Sequence, residues 1–138
     1  MYRLAVFAIV ALMLAACASQ PPAVPANAHI GTGSAASTPE PAPNDAPPRI
    51  LAMNFPTLDV SRGDTWSGTI ITTTNVASVE VRTNLFSLNV PRRTFGDFRF
   101  TLRIYDVPPI FIRGYRVRVI ARNAAGQAVE EDLPFRIR

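Results

Sequence analysis

The stretch Phe98-Arg99-Phe100-Thr101-Leu102-Arg103-Ile104 alternates without a break, four large apolar side chains against Arg, Thr and Arg. A period of two sends successive side chains to opposite faces, so the segment fits a strand with one buried face and does not fit a helix. Tyr115-Arg116-Val117-Arg118-Val119 repeats the pattern, and Leu133, Phe135 and Ile137 resume it. Further strand candidates cover residues 50–55, 65–73, 78–83 and 86–90, with turn-forming groups between them at Ser61-Arg62-Gly63-Asp64, Asn75, Asn84 and residues 91–94. No segment carries a 3.6-residue period with capping residues, so helix is limited to a single turn. About seven short antiparallel strands in this space predict an all-β sandwich.

Composition places that sandwich in residues 49–138, which hold the one Trp and seven of the eight Phe. Residues 18–48 differ: eight of thirty-one are Pro, eight are Ala, and Val24 and Ile30 are the only branched aliphatics. So little apolar surface does not offset the entropy of ordering, which predicts a disordered linker. Such a spacer spans about 30 Å as a coil and up to roughly 95 Å when extended, enough to hold a domain clear of a membrane. His29, the only histidine, falls within it and reads as a passive linker residue.

Met1-Tyr2-Arg3 puts one positive charge ahead of thirteen unbroken apolar residues, 4–16. A helix of that length rises about 20 Å, short of a ~30 Å hydrocarbon layer, which predicts a signal peptide for export. The residues Leu14-Ala15-Ala16-Cys17 that follow resemble the lipobox of bacterial lipoproteins. The resemblance implies that the Cys17 thiol takes a diacylglycerol, that residues 1–16 are removed, and that the new amino terminus is acylated. Two or three acyl chains anchor stably where one binds marginally. Ala18 and Ser19 come next, with no aspartate at the second mature position, which in a Gram-negative host implies outer-membrane sorting. The expected organisation is a signal peptide (1–16), a lipidated cysteine with a Pro/Ala-rich linker (17–48), and a folded domain (49–138).

That domain resembles the immunoglobulin-like and fibronectin-III-like modules of exported bacterial proteins. Tyr115-Arg116-Val117 is similar to their tyrosine corner, and Val119-Ile120-Ala121-Arg122-Asn123-Ala124-Ala125-Gly126 is similar to their last hairpin. Val117 stands where antibody domains have a cysteine, and Trp66 falls in the second strand candidate instead of the third. An antibody-type domain is therefore excluded.

The inventory for chemistry is thin. One cysteine and one histidine exclude a disulfide framework and a Cys/His metal site. All 14 basic residues are arginine against 10 acids, a formal +4, and without residues 1–16 the balance is 13 to 10, or +3. Arginine-only usage reads as coding bias, and no nucleic-acid motif is visible. Glu130-Glu131-Asp132, the one acidic cluster, projects Glu130 and Asp132 from a single strand face, where they do not flank a cleft as an acid and a base must. The expectation is no enzyme and no cofactor. Parity registers the last hairpin with Val119 opposite Leu133, Val117 opposite Phe135 and Arg116 opposite Arg136. Arg82, Arg118 and Arg138 join that face, and a bound phosphate or carboxylate of a glycan or lipid would relieve the like-charge pair. The plain alternative is a solvated face neutralised by Glu80, Glu130 and Asp132. Val107-Pro108-Pro109-Ile110-Phe111-Ile112, a proline-stiffened crossover, is expected to plug the base of the sandwich; otherwise Ile110 and Phe111 mark a contact with a partner or a membrane. The function expected is an envelope lipoprotein, held to the membrane through acylated Cys17, whose domain is a non-catalytic binding or structural module. The alternative is an envelope assembly or chaperone component that grips a protein through edge strands or the 107–112 loop.

Overall fold

Trp66 is fully buried and meets three aromatic rings drawn from both layers of the molecule. It stacks on Phe55 at 5.7 Å, takes the edge of Phe100 at 4.8 Å and lies 4.5 Å from Phe135. Its Nε1 donates to the Thr57 carbonyl at 3.0 Å, so the one polar atom of the ring is satisfied. Gly68 makes room for this cluster, since a Cβ there would lie 2.6 Å from the Phe55 ring and 2.7 Å from the Phe100 ring.

The computed structural model describes residues 20–33, 37–105 and 107–138. The signal peptide and Cys17 lie outside the described residues. Ten strands are present among the rest: β1 (Ala28–Ile30), β2 (Ile50–Phe55), β3 (Asp59–Val60), β4 (Thr65–Thr72), β5 (Val76–Arg82), β6 (Ser87–Val90), β7 (Arg92–Thr94), β8 (Asp97–Arg103), β9 (Gly114–Asn123) and β10 (Ala128–Ile137). One sheet runs β1-β2-β4-β8-β7 and the other β3-β10-β9-β5-β6. Pairing is antiparallel except for β1 on β2 and β3 on β10. The order β2-β4-β8-β7 against β10-β9-β5 is the A-B-E-D against G-F-C arrangement of an immunoglobulin-like sandwich. The seven strands expected from alternation are all here. The three that alternation cannot reveal, β1, β3 and β7, have three, two and three residues.

The hairpin register differs from the one parity gives. Val117 faces Leu133 and Tyr115 faces Phe135, a displacement of two residues, so Arg116 lies opposite Pro134 and Arg136 opposite Gly114. A shift of two keeps every side chain on its face, which is why the buried set is unchanged. The turn sets the register. Asn123 and Gln127 close the ladder through Asn123 N to the Gln127 carbonyl at 3.0 Å, and their side chains bond each other at 2.7 Å. The loop between them is then only Ala124-Ala125-Gly126, with Gly126 at φ 84°, the left-handed position that a three-residue hairpin loop needs.

Where residues 18–48 are described, they make hydrogen bonds to the sandwich. His29 sits in β1, an edge strand of the first sheet, opposite Asn54. Met53 N donates to the Asn27 carbonyl at 2.9 Å, Gly31 N to Phe55 at 2.9 Å, and Thr74 N to Glu40 at 2.9 Å. Asn75 Nδ2 donates to the carbonyls of Pro43 and Ala46 at 3.0 and 2.6 Å, and Asn123 Nδ2 reaches Ala46 at 3.0 Å. Thr73 and Thr74 accept from Arg49 N and Ala42 N through their hydroxyls. The segment has few large apolar residues of its own, and its described residues are held mainly by polar groups of the sandwich.

Candidate functional site

The outward face of the second sheet carries the charges that the strand alternation predicts. Arg118 stands between two partners of opposite character, Arg82 on β5 and Asp132 on β10. The like-charge pair is thus Arg82 with Arg118, and the expected opposition of Arg116 and Arg136 is corrected. Asp132 accepts from Arg118 Nε at 2.9 Å and from Arg116 Nη1 at 3.5 Å, while Glu130 lies 3.2 Å from Arg118. Glu80 is 8% exposed and takes three donors: the Ser87 hydroxyl at 2.5 Å, Arg82 Nε at 2.8 Å and Arg122 Nη1 at 3.1 Å. The Ser87 hydrogen bond lowers its pKa most, burial opposes, and the two arginines add to the lowering, which brings it from 4.5 to about 2. Ile120, only 1% exposed, lies on this same outer face between Glu80 and Glu130, flanked along its strand by Arg118 and Arg122. Long charged side chains that lie flat cover apolar surface with their aliphatic stems.

Of the five arginines singled out from sequence, Arg82, Arg116 and Arg118 come together, each in an ion pair. Arg138 pairs with Asp59 beside β3, away from that group. Arg136 takes no ion pair among the described residues. A depression of about 530 Å³ lies over Arg82, Arg116 and Arg118, and a fourth arginine, Arg113, completes its rim. Sequence reasoning missed Arg113 because it precedes the alternating run. Its guanidinium sits 5.3 Å from the centroid of the Tyr115 ring, which holds it in place by a cation–π contact. The tyrosine was legible, and an arginine two residues before it was the available signal.

The 107–112 crossover divides in two. Val107 packs against the core, and Tyr115 Oη donates to the Phe111 carbonyl at 2.6 Å, the tyrosine corner that the sequence resembles. Phe111 is half-buried in a single 3-10 turn, Pro109–Phe111. Ile110 is 75% exposed, however, and Ile112 and Tyr105 are exposed beside it. The expectation that this run plugs the sandwich holds for Val107 alone.

On the other side of Gly114, Tyr115 and Arg116 runs a more apolar groove of about 670 Å³ whose far wall includes Gln20, Pro21 and Pro22. The described chain therefore begins against the same end of the sandwich as the crossover. Among the described residues, no helix is long and apolar enough to cross a membrane, and no group of three or more His, Cys, Asp or Glu is placed to hold a metal ion. No protein-family model and no curated protein matches the chain.

Proposed function

We propose that the protein is a lipid-anchored lipoprotein of the cell envelope, tethered through acylated Cys17 and presenting its immunoglobulin-like sandwich as a non-catalytic binding module. In a Gram-negative host its place is the outer membrane. The observation that carries this reading is the lipobox-like Leu14-Ala15-Ala16-Cys17, placed three residues before a chain that already rests on the sandwich at Gln20. The depression beneath Arg82, Arg113, Arg116 and Arg118 supports an anionic ligand group, because planar guanidinium groups take phosphate and carboxylate in bidentate geometry.

The anchor is tested by growing cells that express the chain with labelled palmitate and weighing the amino-terminal peptide. The expected result is acyl label on a peptide that begins at Cys17, lost in Cys17→Ala. A peptide with a free Cys17 thiol would remove the anchor. The ligand class is tested by titrating the protein with glycans and headgroups that carry phosphate, following arginine side-chain resonances. Shifts at Arg113 and Arg118 are expected, and unmoved resonances at both refute an anionic ligand there.

A further inference from the structure

We infer that the end of the sandwich built by the 104–113 crossover is a second membrane contact, an apolar knuckle ringed by arginines that seats on anionic phospholipid headgroups of the membrane holding Cys17. This deepens the proposed anchoring and rests on it.

Three observations converge on that end. The first is distance. Gln20 lines the groove beside Gly114 and Arg116, and the three residues from Cys17 to Gln20 span at most about 10 Å. The described residues from Gln20 onward rest on the sandwich, so an acyl group on Cys17 would be tethered within that reach of this end. The second is exposed apolar surface. Ile110 and Tyr105 are 75% and 73% exposed, and Ile112 and Leu85 join them from the same end. The third is charge. Arg62, Arg103, Arg113 and Arg136 form no ion pair among the described residues, and all four lie at this end: Gly63 N bonds the Ile104 carbonyl, Arg103 closes β8, and Arg136 faces Gly114. Against them Asp59 is paired with Arg138, and two acids remain in the count: Asp64, which accepts from the Ser61 amide at 2.8 Å, and Asp106, which stands in the sequence between Tyr105 and Val107. Four arginines against two acids leave this end net positive, and apolar side chains among such cations match an interface whose surface is anionic and whose next layer is hydrocarbon.

The test uses the intact acylated protein in vesicles. Acylation consumes the Cys17 thiol, so Tyr105→Cys supplies the one site for a bimane label; Ala125→Cys, at the far end of β9, supplies the control. In vesicles of phosphatidylglycerol and phosphatidylcholine, the label at 105 is expected to be shielded from aqueous iodide and quenched by doxyl lipids, with the label at 125 open to iodide. Arg113→Gln is expected to reduce the ratio of docked to undocked molecules about fivefold, and Ile110→Asp to abolish docking. Equal iodide access at 105 and 125 overturns the proposal. Equal shielding at 105 in phosphatidylcholine alone overturns its anionic part. Shielding without vesicles overturns it in favour of a protein partner or a second copy. A second label per chain reveals a free Cys17 thiol, so failure of the anchor is read separately from failure of the contact.

Discussion

Residues 20–33 and 37–48 and the sandwich they lie on are held by different forces. The sandwich buries Trp66, Phe55, Phe98, Met53 and a ring of branched aliphatics between its sheets, which is stabilisation by removal of apolar area from water. Among its described residues the preceding segment contributes little to burial, with Ala28 packed against that core and Pro48 buried. Its order comes from main-chain carbonyls and amides that meet Thr73, Thr74, Asn75 and Asn123, and from the short ladder of β1 on β2. A segment's own apolar content therefore tells whether it folds alone. It does not tell whether a folded neighbour offers it donors and acceptors.

The contrast can be broken at its strongest point first. Trp66→Ala removes the ring shared by both sheets and should cost about 3–5 kcal/mol. Limited proteolysis should then cut residues 20–48 and the sandwich together, because the segment has nothing to rest on once the sheets separate. Protection of 20–48 in an unfolded sandwich would show that the dependence runs the other way.

Acid sharpens the comparison from the outer face. The Glu80 pKa is depressed from 4.5 to about 2, so its contribution to stability is fully present above pH 4.5 and is lost as pH falls through about 2. Glu80→Gln keeps the shape, gives up the charge, and should cost about 2 kcal/mol at neutral pH. Denaturant melts of the variant and the parent should converge on acidification; a constant gap down to pH 2 would contradict the assignment.

The smallest effect separates the two regions most cleanly. Asn75→Ala deletes the amide that holds the Pro43 and Ala46 carbonyls, at about 1–2 kcal/mol. Hydrogen exchange is expected to speed up in residues 40–48 and in Thr74 N, leaving β9 and β10 protected. Unchanged exchange at Thr74 would show that the β1 ladder and the threonines suffice.

The sandwich was legible because alternation reports directly on a half-buried strand. All seven long strands follow from runs such as residues 98–104, and Tyr115 marks its corner. The outer strands β1, β3 and β7 are too short to show a period and are placed by tertiary contact alone. Register was legible only to parity, since faces follow from the pleat but the exact partner depends on Gly126 adopting a left-handed conformation. The candidate site was legible in part for the same reason. Arg82, Arg116 and Arg118 share a face by parity, whereas Arg113 joins them through a ring contact and the ion pairs to Glu80 and Asp132 depend on the final register.

Both sheets end in strands of four residues or fewer: β1 and β7 on one, β3 and β6 on the other. Arg92 and Arg93 on β7 are exposed. Were the protein anchored as proposed, copies confined to a plane would collide side-on more often than copies free in three dimensions, and each such collision would offer one copy's unpaired main chain to another. Margins this brief, one of them carrying two arginines, give an incoming chain almost nothing to template on, which would keep a crowded layer of copies from polymerising into continuous cross-chain ribbons.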